Sequence, residues 1–408
     1  MIVRMMRCKM VRILQTGSRS WRRTVVATVA LPLVISLAVL AYAWPASRIA
    51  PRDLPVGVVG TNPAVQKAVE GLTDSKPDAF DLRLYPNQES ARSAIRNREV
   101  YGAFVVTAGK VTVLEAGAAS PSVAQILTTT GRQLAARADQ LHAKVATPAT
   151  GASRRATPGG SPARSAPKVG FQTVDVVPTS ADDPRGVVFS SALLPLTICS
   201  VLIAALVAMT GVRTSVRRRL LDLLAACAAA GLAAYLITQG VLGALPHEHA
   251  ATWGVLSLTM LAISSTSVGL ISLIGPAGLG LGAALMVFVG NPFSGGTSAP
   301  ELLPKVVNDI GQWLPPGAGM NLLRSTAYFD GNGSEGHLAV LVLWSALGLT
   351  AAVFGRRAPT TTGATPEDVP TTEGTPQESP VTGAPATTPP PSPAGRPHGR
   401  HTAHAAHA

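Results

Sequence analysis

Charge is scarce in this 408-residue chain: Asp, Glu, Lys and Arg make up 14% of it, against roughly 25% in an average soluble protein. Aromatic residues are rarer, at 4%, and there are three cysteines, Cys8, Cys199 and Cys227. Three thiols cannot build a disulfide framework, and none falls in the polar stretch between residues 45 and 187. A phosphate-binding loop is missing too. Such a loop ends in Gly-Lys-Ser/Thr, whereas the one Gly-Lys pair here, Gly109-Lys110, is followed by Val111 in a predicted hairpin turn. The chain therefore carries no ATPase engine and is not expected to be an enzyme. GLGLG (278–282) imitates part of a dinucleotide fingerprint but sits inside an apolar segment with no strand before it. No cofactor is indicated. His247-Glu248-His249 lacks the HExxH spacing that puts two imidazoles on one helix face, so no metal site is expected either.

What is present is apolar. Hydrophobic residues are 47% of the chain, beside 39 Gly and 33 Pro, so very apolar blocks must alternate with Pro-rich polar ones. A helix crossing about 30 Å of hydrocarbon needs roughly 20 mostly apolar residues. Residues 24–44 meet that test without a charge and end in Tyr42 and Trp44, aromatics suited to the membrane interface. Further spans are expected at 187–211, 220–245, 252–274, 276–290 and 338–354, with a tight hairpin at Gly275-Pro276. The fold class that follows is an α-helical polytopic membrane protein of six transmembrane helices, with an extracellular α/β domain inserted between helices 1 and 2.

The net charge of +12 becomes a topology signal once its positions are read. Residues 1–23 carry seven basic groups, the loop 212–219 carries Arg213, Arg217, Arg218 and Arg219, and Arg356 and Arg357 follow the last span. Basic loops stay in the cytoplasm, which puts both termini inside a cell membrane. No base-stacking cluster or groove-reading motif accompanies the charge, so nucleic acid is not an expected partner.

Residues 45–146 then lie outside. LPVGVVG (54–60) reads as a buried strand, 62–72 as a helix, and FDLRLY (80–85) alternates as a half-buried strand. Residues 88–100 look helical, 101–117 read as two strands around a Gly-containing turn, and 121–146 as a helix. A flexible linker is expected at 147–170, a returning strand within 171–186, and a disordered cytoplasmic tail at 355–408.

Polar groups inside spans are costly unless partnered, and so often face a pathway. Gln239, Ser264, Ser265, Thr266 and Ser267 are candidates for a substrate lane, though hydroxyls can also bond to their own helix. Ser265 with Gly269, and Gly278 with Gly282, are small-xxx-small pairs that let helices approach closely. Outside the spans, 291–337 is expected to form amphipathic half-helices. Residues 300–314 place Leu302, Leu303, Val306, Val307, Ile310, Trp313 and Leu314 on one face of a helix lying in the interface. LPPGAG (314–319) then breaks the chain before a second short piece at 321–329.

With LPVGVVGTNP (54–63), REVYGAFVV (98–106), NPFSGGTSAPELLP (291–304) and LPPGAGMNLLRSTAYFDG (314–331), the chain resembles the membrane subunit of ABC type-2 exporters. More narrowly it is similar to an actinobacterial-like subgroup of the bacterial branch related to the phage infection protein. The resemblance implies a permease acting as a homodimer with a separate ATPase subunit, which would meet Arg213, Arg217, Arg218 and Arg219. It implies an amphipathic or lipid-like substrate. The chain lacks the long coiled-coil outer domain of many phage-related members. The other reading of the same residues is a non-transporting membrane protein whose extracellular domain binds an envelope component, a secreted factor or phage.

Overall fold

The computed structural model describes residues 28–60, 70–71, 74, 77–107, 109–146, 169–210, 214–245 and 249–355. The expected helix at 62–72, the linker, the basic N-terminal segment and the tail fall wholly or mostly outside those residues.

Among the described residues five helices are long and apolar enough to cross a membrane: α1 (Thr28–Ser47), α4 (Val187–Thr210), α5 (Val216–Val241), α6 (His249–Ile274) and α10 (Glu335–Phe354). This is a polytopic membrane protein. Between α1 and α4 in sequence lie the five strands of a small sheet, β1 (Leu54–Val59), β2 (Phe80–Tyr85), β3 (Gly102–Thr107), β4 (Lys110–Glu115) and β5 (Gly170–Asp175). Among the described residues helices α2 (Gln88–Arg96) and α3 (Pro121–Ala146) accompany them. A short apolar helix α7 (Ala277–Phe293) follows α6. After it come α8 (Lys305–Trp313) and α9 (Pro315–Tyr328).

The apolar helices gather around α6. In its most apolar stretch 61% of the residues are buried, against 6% in α1, and α4, α5, α7, α9 and α10 all pack on it. Small side chains make this possible. A Cβ on Gly348 of α10 would lie 2.4 Å from the carbonyl carbon of Ser265, and one on Gly269 would lie 2.8 Å from the Gly348 oxygen. Backbones at that separation gain dispersion contacts that larger side chains would prevent. Gly275 takes φ +72°, a turn that favours glycine, and sends α7 back along α6. A Cβ on Gly278 would fall 2.3 Å from Leu270, and one on Gly282 would fall 2.7 Å from Ser267 Oγ. At 17 residues α7 is about 26 Å long, short for a span; it runs through a π-helical stretch, Ala284–Gly290.

Strand order is β2-β1-β3-β4-β5, with β3–β4 antiparallel and the other pairs parallel. Alternation sorts the side chains onto two faces. Leu54, Val56, Phe104 and Val113 point one way and meet Val123 and Leu127 of α3. Val59, Ala103, Val105 and Leu114 point the other way, into a core shared with Ala91 and Ile95 of α2 and with Leu322 and Phe329. On edge strand β2, Leu84 is 67% exposed, so the expected apolar side of that strand is only partly covered.

The segment 300–328 departs from the sequence reading. The single amphipathic helix expected at 300–314 is two pieces. Pro300–Leu302 is one 3-10 turn, Leu303 is extended, and α8 begins only after Pro304. A residue before proline is pushed out of the helical region, which explains the break. Leu302, Leu303, Val307 and Leu314 turn inward, with Leu302 joining the sheet core, while Val306, Ile310 and Trp313 stay exposed on the other side of α8. The seven residues therefore do not share one face. The break expected across LPPGAG is also narrower than it reads. Only Leu314 is extended, and Pro315 and Pro316 occupy the first turn of α9, where no intrahelical N–H bond is required. Every residue of α9 is buried, so it is not amphipathic.

Candidate functional site

The sheet meets the α8–α9 pair through a polar junction. Asn97 ends α2, and Arg98 then takes φ +61°, a left-handed conformation that costs a non-glycine residue about 1 kcal/mol or more. That turn aims its guanidinium at α9. Nη1 donates to the Asn321 carbonyl (3.0 Å) and to Ser325 Oγ, and Nη2 donates to Asn321 Oδ1 (3.2 Å). The Arg98 Cζ also stands 5.4 Å from the Phe329 ring centre. Three residues on, Tyr101 donates its hydroxyl to Glu301 Oε2 at 2.6 Å. Asn321 Nδ2 donates to Gln312 Oε1 (2.6 Å), and Gln312 Nε2 donates to the Ser294 carbonyl (3.2 Å). A last tie runs from Asn332 Nδ2 to the Arg96 carbonyl, 3.3 Å.

Arg324, one turn along α9 from Asn321, is 3% exposed. Its polar contacts are long: Nη1 to Asn321 Oδ1 and Nη2 to the Gly296 carbonyl, both 3.5 Å. Its Cζ lies 5.0 Å over the Phe189 ring. Arg98 and Arg324 thus share one amide oxygen, and the carboxylate nearest in role, Glu301, is taken by Tyr101. Among the described residues the ion pairs within 4.0 Å, Arg83–Asp81 and Arg96–Glu89, are exposed and elsewhere. Burying a cation costs several kcal/mol unless partners compensate it, and the junction keeps an excess of positive charge. Burial, followed by repulsion from Arg98, brings the Arg324 guanidinium down to about 10. Burial likewise lowers Arg98. Burial and then the Glu301 charge push the Tyr101 hydroxyl well above its ordinary value. The Tyr328 hydroxyl, buried and near Asp183, rises to about 12.

Two cavities open on this junction. One of about 240 Å3 is lined by Arg98, Tyr101, Glu301, Asn308, Gln312 and His337 among others, and the buried Oδ1 of Asn308 has no hydrogen-bond partner. The second, about 190 Å3, lies against Arg324, Arg185, Ser122, Thr297 and Tyr328. Among the described residues no group of three or more His, Cys, Asp and Glu could hold a metal ion; His247 and Glu248 fall outside those residues.

The residues expected to form a substrate lane make the following hydrogen bonds. Ser264 Oγ donates to the Ser200 carbonyl (2.7 Å), joining α6 to α4. Ser265 and Thr266 donate to the Ala262 carbonyl and Ser267 to that of Ile263. Gln239 Oε1 accepts from the Leu245 N–H at 2.9 Å. The four hydroxyls each donate to a backbone carbonyl, and neither junction cavity is lined by any of the five residues. Of the four basic loop residues, Arg213 lies outside the described residues, and Arg217 and Arg218 are exposed at the start of α5. Arg219 is turned inward instead. Its Nη2 donates to the Ala352 carbonyl and to Ser272 Oγ, so it ties the ends of α5, α6 and α10 together.

No local pattern in the sequence singles out Arg98, Tyr101, Glu301, Asn321 or Arg324. The signal available was Arg324, one of two basic residues in 291–337. Compared with protein-family models, with curated proteins and with solved structures, the chain finds no match.

Proposed function

We propose that this chain is the membrane subunit of an ABC type-2 exporter, moving an amphipathic or lipid-like substrate with ATP hydrolysed by a separate subunit. It acts as a homodimer in the cell membrane, with both termini in the cytoplasm and the sheet domain on the opposite side. Arg217 and Arg218, exposed and uncommitted to the helical packing, face the ATPase together with Arg213. Arg219 holds the three helix ends that would move as one when that contact changes.

The observation that carries this reading is a convergence. Of the segments on which the family resemblance rests, 98–106 is distant in sequence from 291–304 and 314–331 yet meets them at the Arg98–Tyr101–Glu301–Asn321–Arg324 junction. An exporter needs its outer domain and its helices to move together. Here α9 packs on the central helix α6 and is hydrogen-bonded to the sheet domain through Arg98. A displacement of α6 is thereby passed to the sheet.

Photocrosslinkers at positions 217 and 218 test the proposal in native membranes. A crosslinked ATPase, lost when both arginines are reversed to glutamate, is the expected result. Crosslinks to lipid alone, with ligand capture by the sheet domain unchanged by the reversal, would favour a non-transporting envelope-binding protein instead.

A further inference from the structure

The smaller junction cavity has the character of a headgroup site. No carboxylate lines its roughly 190 Å3. Arg324 forms its buried side and Arg185 stands exposed at its edge. Ser122 and Thr297 line it with hydroxyls that make no hydrogen bond to the protein among the described residues. The acids acting on this neighbourhood are engaged. Asp183 accepts the N–H groups of Val187 (2.8 Å) and Val188 (3.0 Å), one on each oxygen, and Glu301 accepts from Tyr101. Helix α3 opens at the cavity with no acid in its first turn, so its positive dipole end is unopposed there.

Val187, Phe189 and Ser190 of the cavity wall are the first turn of α4, a candidate membrane span. With α4 crossing the membrane, its first turn places the cavity at the depth of lipid headgroups. Phe189 continues from it into a narrow apolar crevice of about 30 Å3 lined by Leu193, Leu196 and Met320. On the outer surface of α4, Val187, Leu194, Ile198, Leu202 and Leu206 form an exposed apolar stripe running away from the cavity. A cationic pocket above an apolar stripe recognises a molecule that is anionic at one end and apolar at the other.

We propose that this cavity seats the phosphate of an anionic phospholipid between Arg324 and Arg185, with its chains along the exposed stripe of α4. A phosphate diester spreads its one negative charge over two non-bridging oxygens, and guanidinium binds such a pair in paired hydrogen bonds. The claim needs neither an ATPase nor transport, so it stands or falls apart from the exporter reading.

The test is lipid retention by the full-length protein in nanodiscs of mixed phosphatidylglycerol and phosphatidylcholine, read by native mass spectrometry after release. Phosphatidylglycerol should be retained preferentially. Arg185→Gln, at an exposed position whose loss leaves the packing intact, should weaken that retention about ten-fold, the effect of one charged contact. Arg324→Lys should weaken it less than Arg324→Gln, and Arg83→Gln on the distant edge strand should leave it unchanged. Equal retention of the two lipids, or an Arg185→Gln protein that behaves as the parent, would overturn the proposal. So would displacement of the lipid by inorganic phosphate alone, which would mark a site for free phosphate rather than for an amphiphile.

Discussion

Replacing Arg98 by methionine keeps the length and most of the apolar stem but removes every donor that ties the sheet to α9. The Asn321 carbonyl, its Oδ1 and Ser325 Oγ each lose a charged partner. A hydrogen bond to a charged group contributes about 1.5–3 kcal/mol, and the ring contact with Phe329 adds about 0.5–1 kcal/mol. These are not additive, because Asn321 Oδ1 retains Arg324 and because the buried cation is itself removed. A net loss of about 3 kcal/mol is the result. Arg98→Lys keeps one charge-assisted bond and should lose about 1–2 kcal/mol. The assay is amide hydrogen exchange in detergent, reading peptides that cover 98–101 and 321–329. Three kcal/mol of local stability corresponds to about 100-fold faster exchange there, while the α6–α10 contact should keep its protection. Exchange within about three-fold of the parent in the methionine protein would refute the idea that Arg98 holds the two parts together.

Gly348→Val should be more disruptive than any surface change. The added Cβ would meet backbone atoms of Ser265 and Thr266 at 2.4–2.5 Å, and overpacking of this kind costs about 1–3 kcal/mol, measurable as a lower midpoint in SDS-driven unfolding. Acid should stabilise the sheet region locally. Burial, the largest cause, raises the Glu115 and Asp175 carboxyls above their ordinary values, so the folded state holds those protons more tightly than the unfolded chain. That contribution is complete below the ordinary carboxylate range and is lost as pH rises through the raised folded values. Glu115→Gln should flatten the slope of exchange protection against pH in β4 and β5. Single cysteines at Gly333 and at Glu378 should label from opposite sides of sealed vesicles; labelling from the same side contradicts the placement of the α9–α10 turn opposite the tail.

Much of the local structure was legible in the sequence. The alternation of Phe80, Leu82 and Leu84 marks a strand whose observed limits are Phe80–Tyr85. The turn at Gly109, which has φ +85°, separates two strands as its chemistry requires. Apolar length alone marks α1, α4, α5, α6 and α10. Proline was the harder residue to read. The sequence around Pro304 has helical periodicity on both sides, and only the missing N–H and the extended Leu303 split it. Pro315 and Pro316 look like a break but begin a helix, because the first turn needs no donor. The serines of α6 gave a pattern consistent with either a lane or packing, and their hydroxyls went to backbone carbonyls. The junction itself was illegible for another reason. Arg98 and Asn321 are 223 positions apart, and no local spacing announces a contact between them. Nor does periodicity show that Arg324 is buried: a cation in a helix reads as solvent-facing until other elements, here Phe189 of α4 and Gly296, cover it.

Isolating the protein from its own membranes in a mild detergent, and identifying what accompanies it, tests the exporter reading most directly. The expected result is a second chain with a Gly-Lys-Ser/Thr phosphate loop, present in comparable amount and lost when Arg217 and Arg218 are both changed to glutamate. Recovery of this chain alone from membranes in which such ATPases are abundant and intact would contradict it.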